Sequence, residues 1–355
     1  MEQKSVLIGM SGGVDSSVAA ALLKEQGYHV IGATMRLWTY SDSCNMKHEG
    51  CCAESAVEDA RRVCDKLGID FYVMNFKDMF KDKVVDYFVD EYIHGRTPNP
   101  CIACNKYLKF DALLKKALAM GIDYVATGHY AKIEKGEDGK YILRASEAVK
   151  KDQSYVLYNF TQEQLAHTLM PLGGYNKDWV RQKAEELGLG VAHKPDSQEI
   201  CFVEDDDYAK FITDYSGYEP KEGDILDVNG NVIGKHRGLI YYTIGQRKGI
   251  GAYGRPMFVM KIDAENNTIT LGEKGMEFSN ELTAYDVNFV SGEFPKENML
   301  ITAKVRYQAP PAAAMLCPQK DGTVKLMFPE PQRAVTPGQA VVFYDGDIVL
   351  GGGTV

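Results

Sequence analysis

Residues 6–17 read VLIGMSGGVDSS: the apolar run Val6, Leu7 and Ile8, and then Ser11, Gly12, Gly13, Val14, Asp15, Ser16 and Ser17 at the start of a helical pattern. Gly12 and Gly13 allow a sharp turn and a close approach of backbone to an anion. A helix opening near Val14 aims its unpaired N–H groups and its positive dipole end at the same place. The serine hydroxyls add donors. A Walker loop would read GxxxxGK[ST], with a lysine reaching the terminal phosphates, and no lysine follows these glycines. The loop therefore reads as a nucleotide site built for the departure of pyrophosphate.

Working outward, strand and helix patterns alternate: strands over 6–10, 29–35, 71–76 and 124–127, and helices over 14–26, 54–67, 78–93 and 106–120. Alternation predicts an α/β fold, a right-handed, doubly wound parallel sheet. Its ligand belongs at the carboxyl ends of the strands, where the Ser11 loop, Met35 and Thr127, Gly128 and His129 fall. The stretch 161–188 also reads as helical, with Leu165, Leu169, Val180, Ala184 and Leu187 as its apolar positions. Beyond Gly223 short alternating runs and the pairs Asn229-Gly230, Asp321-Gly322 and Asp345-Gly346 predict β hairpins.

A chain of 355 residues is long enough for two or three domains with adequate cores. The expected division is 1–205, 206–280 and 281–355. A formal charge of −9 argues against nonspecific nucleic-acid binding over the whole surface but leaves room for a local basic groove. No apolar run approaches membrane-spanning length, and no charged-then-apolar leader precedes the first strand, so a cytoplasmic protein without a membrane partner is expected. Eight cysteines then read as thiols, metal ligands or catalytic groups rather than as a disulfide framework.

Three of those thiols stand out. Cys101 and Cys104 form a C-x-x-C pair in GRTPNPCIACN, residues 95–105, a spacing that suits a redox pair or two metal ligands. Cys104 is expected near the N-terminus of the 106–120 helix, where the dipole favours thiolate. Cys201 lies in KPDSQEICF on an expected loop. Cys44, His48, Cys51 and Cys52 form a further cluster that reads as structural or free thiols, since adjacent ligands fit one tetrahedral site poorly. Cys64 and Cys317 read as core or loop thiols.

SGGVDSS resembles the PP-loop superfamily of ATP pyrophosphatases, which attach AMP to an oxygen, release pyrophosphate and displace the AMP with a nucleophile. Together with GRTPNPCIACNKYLKF, YVATGHYA, KDQSYVLY, KPDSQEICF, YYTIGQRKG and VRYQAP, it is similar to the tRNA-specific 2-thiouridylase family. The resemblance implies a PP-loop domain of the adenine nucleotide alpha hydrolase-like type, a small central tRNA-binding domain and a C-terminal β-barrel. It implies an enzyme that replaces the C2 oxygen of a wobble uridine with sulfur, using ATP and a persulfide supplied by another protein such as a cysteine desulfurase or sulfur carrier.

By that resemblance Gly9, Met10, Ser11, Gly12, Gly13, Val14, Asp15, Ser16, Met35 and Gly128 would hold ATP, with Asp15 on Mg²⁺ or the phosphates. Cys201 would carry the persulfide and Cys104 would be the partner nucleophile, closing as a Cys104–Cys201 disulfide. Asn99, Pro100 and Cys101 would line the target-base pocket, and His129, Lys151, Asp152, Gln153, Arg306, Tyr307 and Gln339 would contact tRNA. Arg237, Arg247 and Lys248 add basic candidates from the residues alone. The better-known branch of the family carries Asp after PNP, where this chain has Cys101. Three thiols, Cys101, Cys104 and Cys201, with an open fourth iron position would also suit a [4Fe–4S] cluster that delivers hydrosulfide. Spacing permits persulfide and cluster alike. Two rivals use parts of the same set: an amidating PP-loop enzyme of the GMP synthetase type, whose chemistry asks for no thiols, and an iron–sulfur redox sensor that binds tRNA, which leaves the ATP loop unexplained.

Overall fold

The computed structural model describes residues 3–38, 54–148, 150–196, 200–203 and 206–355. The Cys44, His48, Cys51 and Cys52 cluster lies outside the described residues. Among those described, the chain forms three sheets. The first is parallel and is built from β1 (Ser5–Gly9), β2 (His29–Arg36), β3 (Asp70–Asn75), β4 (Tyr124–Ala126) and a later edge strand, in the order β3-β2-β1-β4 and then that edge. Val6, Leu7 and Ile8 are fully buried at its centre, as strands covered on both faces require. Helices α1 (Val14–Glu25) and α2 (Glu54–Leu67) pack on it, with Val18, Ala19, Leu23, Ala60, Val63 and Cys64 in one apolar cluster. The doubly wound expectation is met, and β1 to β2 and β1 to β4 run in register from Val6.

Two helical expectations change. The residues 77–93 wind as α3 (Lys77–Phe80), a wider-wound stretch Lys81–Asp86 and α4 (Tyr87–Ile93). The helix expected over 106–120 starts earlier, as α5 (Pro100–Ala103), and runs through the wider-wound stretch Cys104–Ala112 into α6 (Leu113–Ala119). Asn99 caps it, its Oδ1 accepting from the amides of Cys101 at 3.1 Å and Ile102 at 3.3 Å. Pro100 occupies the first helical position, where its missing N–H costs nothing. Pro100 is therefore a helix start. Cys104 sits one turn inside this helix and not at the N-terminus of another.

The hairpin β5 (Ala131–Lys135) and β6 (Tyr141–Ala145) follows, and then the stretch 161–188, which is not one helix. It breaks into α7 (Gln162–Ala166), the short edge strand β7 (Thr168–Leu169) beside β4, and α8 (Lys177–Glu186). Thr161 and Gln164 form a capping box at the first of these helices, so Leu169 serves the sheet and only Val180 and Ala184 serve the last helix.

After α9 (Tyr208–Ser216), the strands β8 (Gly223–Leu226), β9 (Val232–His236), β10 (Met257–Asp263) and β11 (Thr268–Glu273) make the second sheet, in the order β10-β11-β8-β9. The last segment holds β12 (Phe278–Phe289), β13 (Met299–Lys304), β14 (Ala312–Pro318), β15 (Val324–Arg333), β16 (Ala340–Asp345) and β17 (Ile348–Thr354). Their order, β12-β15-β14-β13-β16-β17 with β17 returning to β12, closes a barrel. Asn229-Gly230, Asp321-Gly322 and Asp345-Gly346 stand at hairpin turns as expected, with Gly230, Gly322 and Gly346 at positive φ. The barrel opens at Phe278, so residue 281 falls inside its first strand.

The barrel is knit to the first part of the chain. Strand β6 pairs with β17 at Arg144 and Ile348, and Arg144 bridges Asp347 at 2.7 Å. The buried Tyr155 hydroxyl donates to the Ala340 carbonyl at 2.6 Å. Tyr155→Phe leaves that carbonyl without its buried donor, and the expected cost is about 1–2 kcal/mol, read as a lower urea midpoint of the full chain.

Candidate functional site

The carboxyl ends of β1 and β4 meet the first turn of α1. Met10 N–H donates to the Ala33 carbonyl at 2.8 Å, and Thr34 Oγ1 donates to the Met10 carbonyl at 2.8 Å, which fixes the strand just before the turn. Gly12 has φ +69°, and a Cβ there would lie 2.3 Å from the Ala56 carbonyl oxygen. Gly128 is equally restricted: a Cβ would sit 2.6 Å from Ser16 N and 2.8 Å from the Asp15 carbonyl carbon. Glycine is needed at both because backbone meets backbone. Gly13 takes the position before the helix, and among the described residues no side chain caps α1. Ser11 N–H donates to Ser16 Oγ at 3.2 Å, and the Ser17 hydroxyl donates to the Gly13 carbonyl at 2.8 Å, so these hydroxyls brace the loop. The amides of the first turn keep their donors for an anion. Met35 lies half-buried near the end of β2, on the same edge of the sheet.

Asp15 points into an ionic network that the sequence did not disclose. Lys177 Nζ donates to both of its carboxylate oxygens at 2.8 Å, and the Tyr130 hydroxyl donates to Oδ1 at 2.7 Å. The same ammonium reaches Asp196 at 2.6 Å, and Asp196 also holds Lys151 at 2.7 Å and Arg181 at 3.4 Å. Burial would raise the Asp196 carboxyl, but the hydrogen bonds from Lys151 and Lys177 outweigh it and hold it below its ordinary value. Burial, and then Asp15, push the Tyr130 phenol far up, so it stays a donor. Lys194 lies on the Gly12 carbonyl at 3.1 Å and on Asp59 at 2.9 Å. Lys194 and Asp196 stand in KPDSQEICF, so the segment that carries Cys201 is tied to the nucleotide loop. Lys177 had no signal in the sequence, because a pair 162 residues apart leaves no local pattern. Asp15 and Asp196 thus share the Lys177 ammonium between them.

The thiols divide. Cys104 is buried within the extended apolar core that also holds Ile102, Ala103, Phe110 and Phe202, and the half-buried Cys201 packs against that same core. Phe202 is anchored by Phe80, Phe88 and Phe211 at ring distances of 5.6, 5.3 and 5.2 Å, which sets the position of its neighbour Cys201. Cys101 is exposed on the first turn of α5. Among the described residues no group of three His, Cys, Asp or Glu side chains gathers as a metal would need. The helix turn sends Cys101 to solvent and Cys104 into the core, and the structure gives no support to the expected [4Fe–4S] cluster. Burial pushes the Cys64 thiol up to about 12, in keeping with a core thiol, and Cys317 is half-buried on β14.

The expected RNA contacts converge on the seam between the first segment and the barrel. The Tyr307 hydroxyl donates to the Asp152 carbonyl at 3.2 Å, its ring meets Tyr155 edge-on at 5.7 Å, and burial followed by the charges of Asp152 and Cys101 raises its phenol. Lys304 lies 5.7 Å from the centre of the same ring. Gln339 donates to the Thr97 carbonyl at 2.8 Å, beside Pro98 and the buried Pro100. Arg306 donates to the Arg333 carbonyl at 3.3 Å. Several of these side chains serve the fold as well: Asp152 accepts from Ser146 and Ser154, Gln153 Oε1 accepts from Tyr130 N–H, and Lys151 is on Asp196. Asn99 is the helix cap, and it also lines a cleft of about 320 Å³ with Lys83, Tyr87, Lys106, Tyr107 and Tyr158. Arg237, Arg247 and Lys248 are exposed on the second unit, Arg237 lying 3.9 Å from the Tyr241 ring centre.

His129 is buried, and its Nδ1 shares a hydrogen bond with Thr127 Oγ1 at 2.7 Å. Burial, with Lys109 nearby, holds it well below 6.5 and therefore neutral.

The chain matches the family model described as the tRNA methyl transferase HUP domain over residues 4–205, its PRC-barrel domain over 209–273 and the aminomethyltransferase β-barrel domain over 279–355. The chain belongs to this family. It is 59% identical to the tRNA-specific 2-thiouridylase MnmA of Acetivibrio thermocellus, covering all of both chains. It is 58% identical to that of Clostridioides difficile, covering 99% of this chain and 98% of the relative. With that of Clostridium botulinum strain Alaska E43 it shares 57% identity over all of this chain and 98% of the relative. Among the described residues no helix is long and apolar enough to cross a membrane.

Because His129 is neutral in the fold and takes a proton when unfolded, its contribution is fully present above the ordinary imidazole value. It falls as pH drops below about 6.5, by up to about 1.4 kcal/mol per pH unit. Urea titrations between about pH 5 and 7 are expected to show this slope in the wild type, and a slope smaller by about one proton in His129→Asn.

Proposed function

We propose that this chain is a tRNA-specific 2-thiouridylase of the cytoplasm, which adenylates the C2 oxygen of a wobble uridine and replaces it with sulfur, releasing AMP and pyrophosphate. The observation that carries the reading is a helix N-terminus left open behind Gly12 and Gly13, in a chain whose Cys104 lies in the main apolar core and whose half-buried Cys201 packs against that core. The words methyl transferase in the family description ask for neither feature. An ATP loop and a thiol pair answer to thiolation.

In this reading ATP, with Mg²⁺, lies against Gly9, Met10, Ser11, Gly12, Gly13, Val14, Asp15 and Ser16, with Met35 and Gly128 at the sides. The uracil C2 oxygen attacks the α-phosphorus, the bond to the β-phosphate breaks, and pyrophosphate leaves with the electron pair. The terminal sulfur of a Cys201 persulfide then attacks C2, and AMP leaves. The Cys104 thiolate takes the inner sulfur of Cys201, which frees the thiouridine and leaves a disulfide for an external thiol to reduce. A sulfur-donor protein such as a cysteine desulfurase or sulfur carrier loads Cys201. The base must be unstacked to be reached, and Asn99, Pro100, Cys101, His129, Lys151, Asp152, Gln153, Arg306, Tyr307 and Gln339 are assigned to the tRNA, with the exposed Tyr307 as the stacking ring. The division 1–205, 206–280 and 281–355 is kept as catalytic, central tRNA-binding and barrel units.

Incubation with unmodified tRNA, ATP and a persulfide donor is expected to yield 2-thiouridine in digested tRNA. Cys201→Ser and Cys104→Ser are expected to lower thiolation by at least about 1000-fold while tRNA-dependent pyrophosphate release continues. Thiolation retained in Cys201→Ser removes the persulfide role, and wild-type protein that releases no pyrophosphate with tRNA removes the adenylation.

A further inference from the structure

The nucleotide loop lacks the lysine that other phosphate loops carry, yet the leaving group of an adenylation is a polyanion. A helix N-terminus offers it only about half a positive charge. Two ammonium groups touch the loop, Lys177 on Asp15 and Lys194 on the Gly12 carbonyl and Asp59. They differ in what each would lose by turning to a phosphate. Lys194 is the ammonium on Asp59, which among the described residues has in addition the more distant Arg62 at 3.6 Å. Lys177 is shared between two carboxylates, and one of them, Asp196, keeps Lys151 and Arg181 when Lys177 leaves. Turning away from Asp196 while keeping Asp15 strands no half-buried charge, so the cost that normally opposes breaking such a pair is small.

The side chain is placed for this exchange. Lys177 is the first residue of α8, whose start is held by the Asn176 side chain accepting from Trp179 N–H at 2.9 Å, with Trp179 stacked on Tyr175 at 3.9 Å. Its side chain is 12% exposed, and its ammonium rests on a residue of the first turn of α1. We propose that Lys177 is the cation that receives the departing pyrophosphate: its ammonium stays on Asp15 and exchanges Asp196 for phosphate oxygens. This deepens the thiouridylase reading and rests on its adenylation step.

The test uses the full-length protein with unmodified tRNA and Mg-ATP, reading pyrophosphate release and its inhibition by added inorganic pyrophosphate. Lys177→Met is expected to lower kcat/KM for ATP about 100-fold and to weaken pyrophosphate inhibition at least about tenfold, and Lys177→Arg to recover most of both. Asp196→Asn removes the competitor for the ammonium and is expected to strengthen pyrophosphate inhibition severalfold, an effect that a merely structural network would not produce. It carries the test alone where Lys177→Met does not fold. Wild-type release with pyrophosphate inhibition unchanged within twofold in Lys177→Met, or weakened in Asp196→Asn, overturns the role of Lys177 and leaves the adenylation reading standing. Absence of release in the wild type overturns both.

Discussion

The first turn of α1 has no side-chain cap among the described residues, and the rest of the site is arranged around that omission. A buried helix start with open donors is unfavourable unless something anionic completes it. Here the serines that would ordinarily cap it are turned to bracing the loop, Ser11 against Ser16 and Ser17 against the Gly13 carbonyl. The backbone of α2 and the end of β4 come so close that only glycine fits at 12 and 128. Sheet order follows from the same need: β1 and β4 are neighbours, so their carboxyl ends bracket a single helix terminus.

Charge is balanced around this point in a protein whose net charge is negative. Asp15, Asp59 and Asp196 each hold a lysine, and the lysines come from 177, 194 and 151. The segment bearing Cys201 is fixed at one end by these ions and at the other by an aromatic anchor, Phe202 among Phe80, Phe88 and Phe211.

Much of this was legible in the sequence. The run Val6–Ile8 before two glycines predicts a central strand and a phosphate turn because both depend on local residues alone, and the hairpin turns at 229, 321 and 345 are readable for the same reason. The start of the helix at Pro100 was misread, since proline signals both rigid loop and first helical position, and only the Asn99 cap distinguishes them. The stretch 161–188 was misread because Leu169 fits a helical period and is taken by a sheet edge. Lys177, Tyr130 and Asp59 were invisible: their roles arise from pairings across more than a hundred residues. Spacing also does not disclose that Cys101 and Cys104, three apart on one helix, differ in burial, the first exposed and the second buried.

Strand β17 is shared. One edge runs along β16, while the other is divided between β12 and the hairpin strand β6 from the first half of the chain. During synthesis the edge of that hairpin stands complete by residue 145 but finds its partner only when residue 348 has emerged. For two hundred residues of translation it is an open template for the wrong neighbour. That edge carries one charge, Arg144, paired across the hairpin with Glu134 on β5 and, once β17 has arrived, with Asp347 as well.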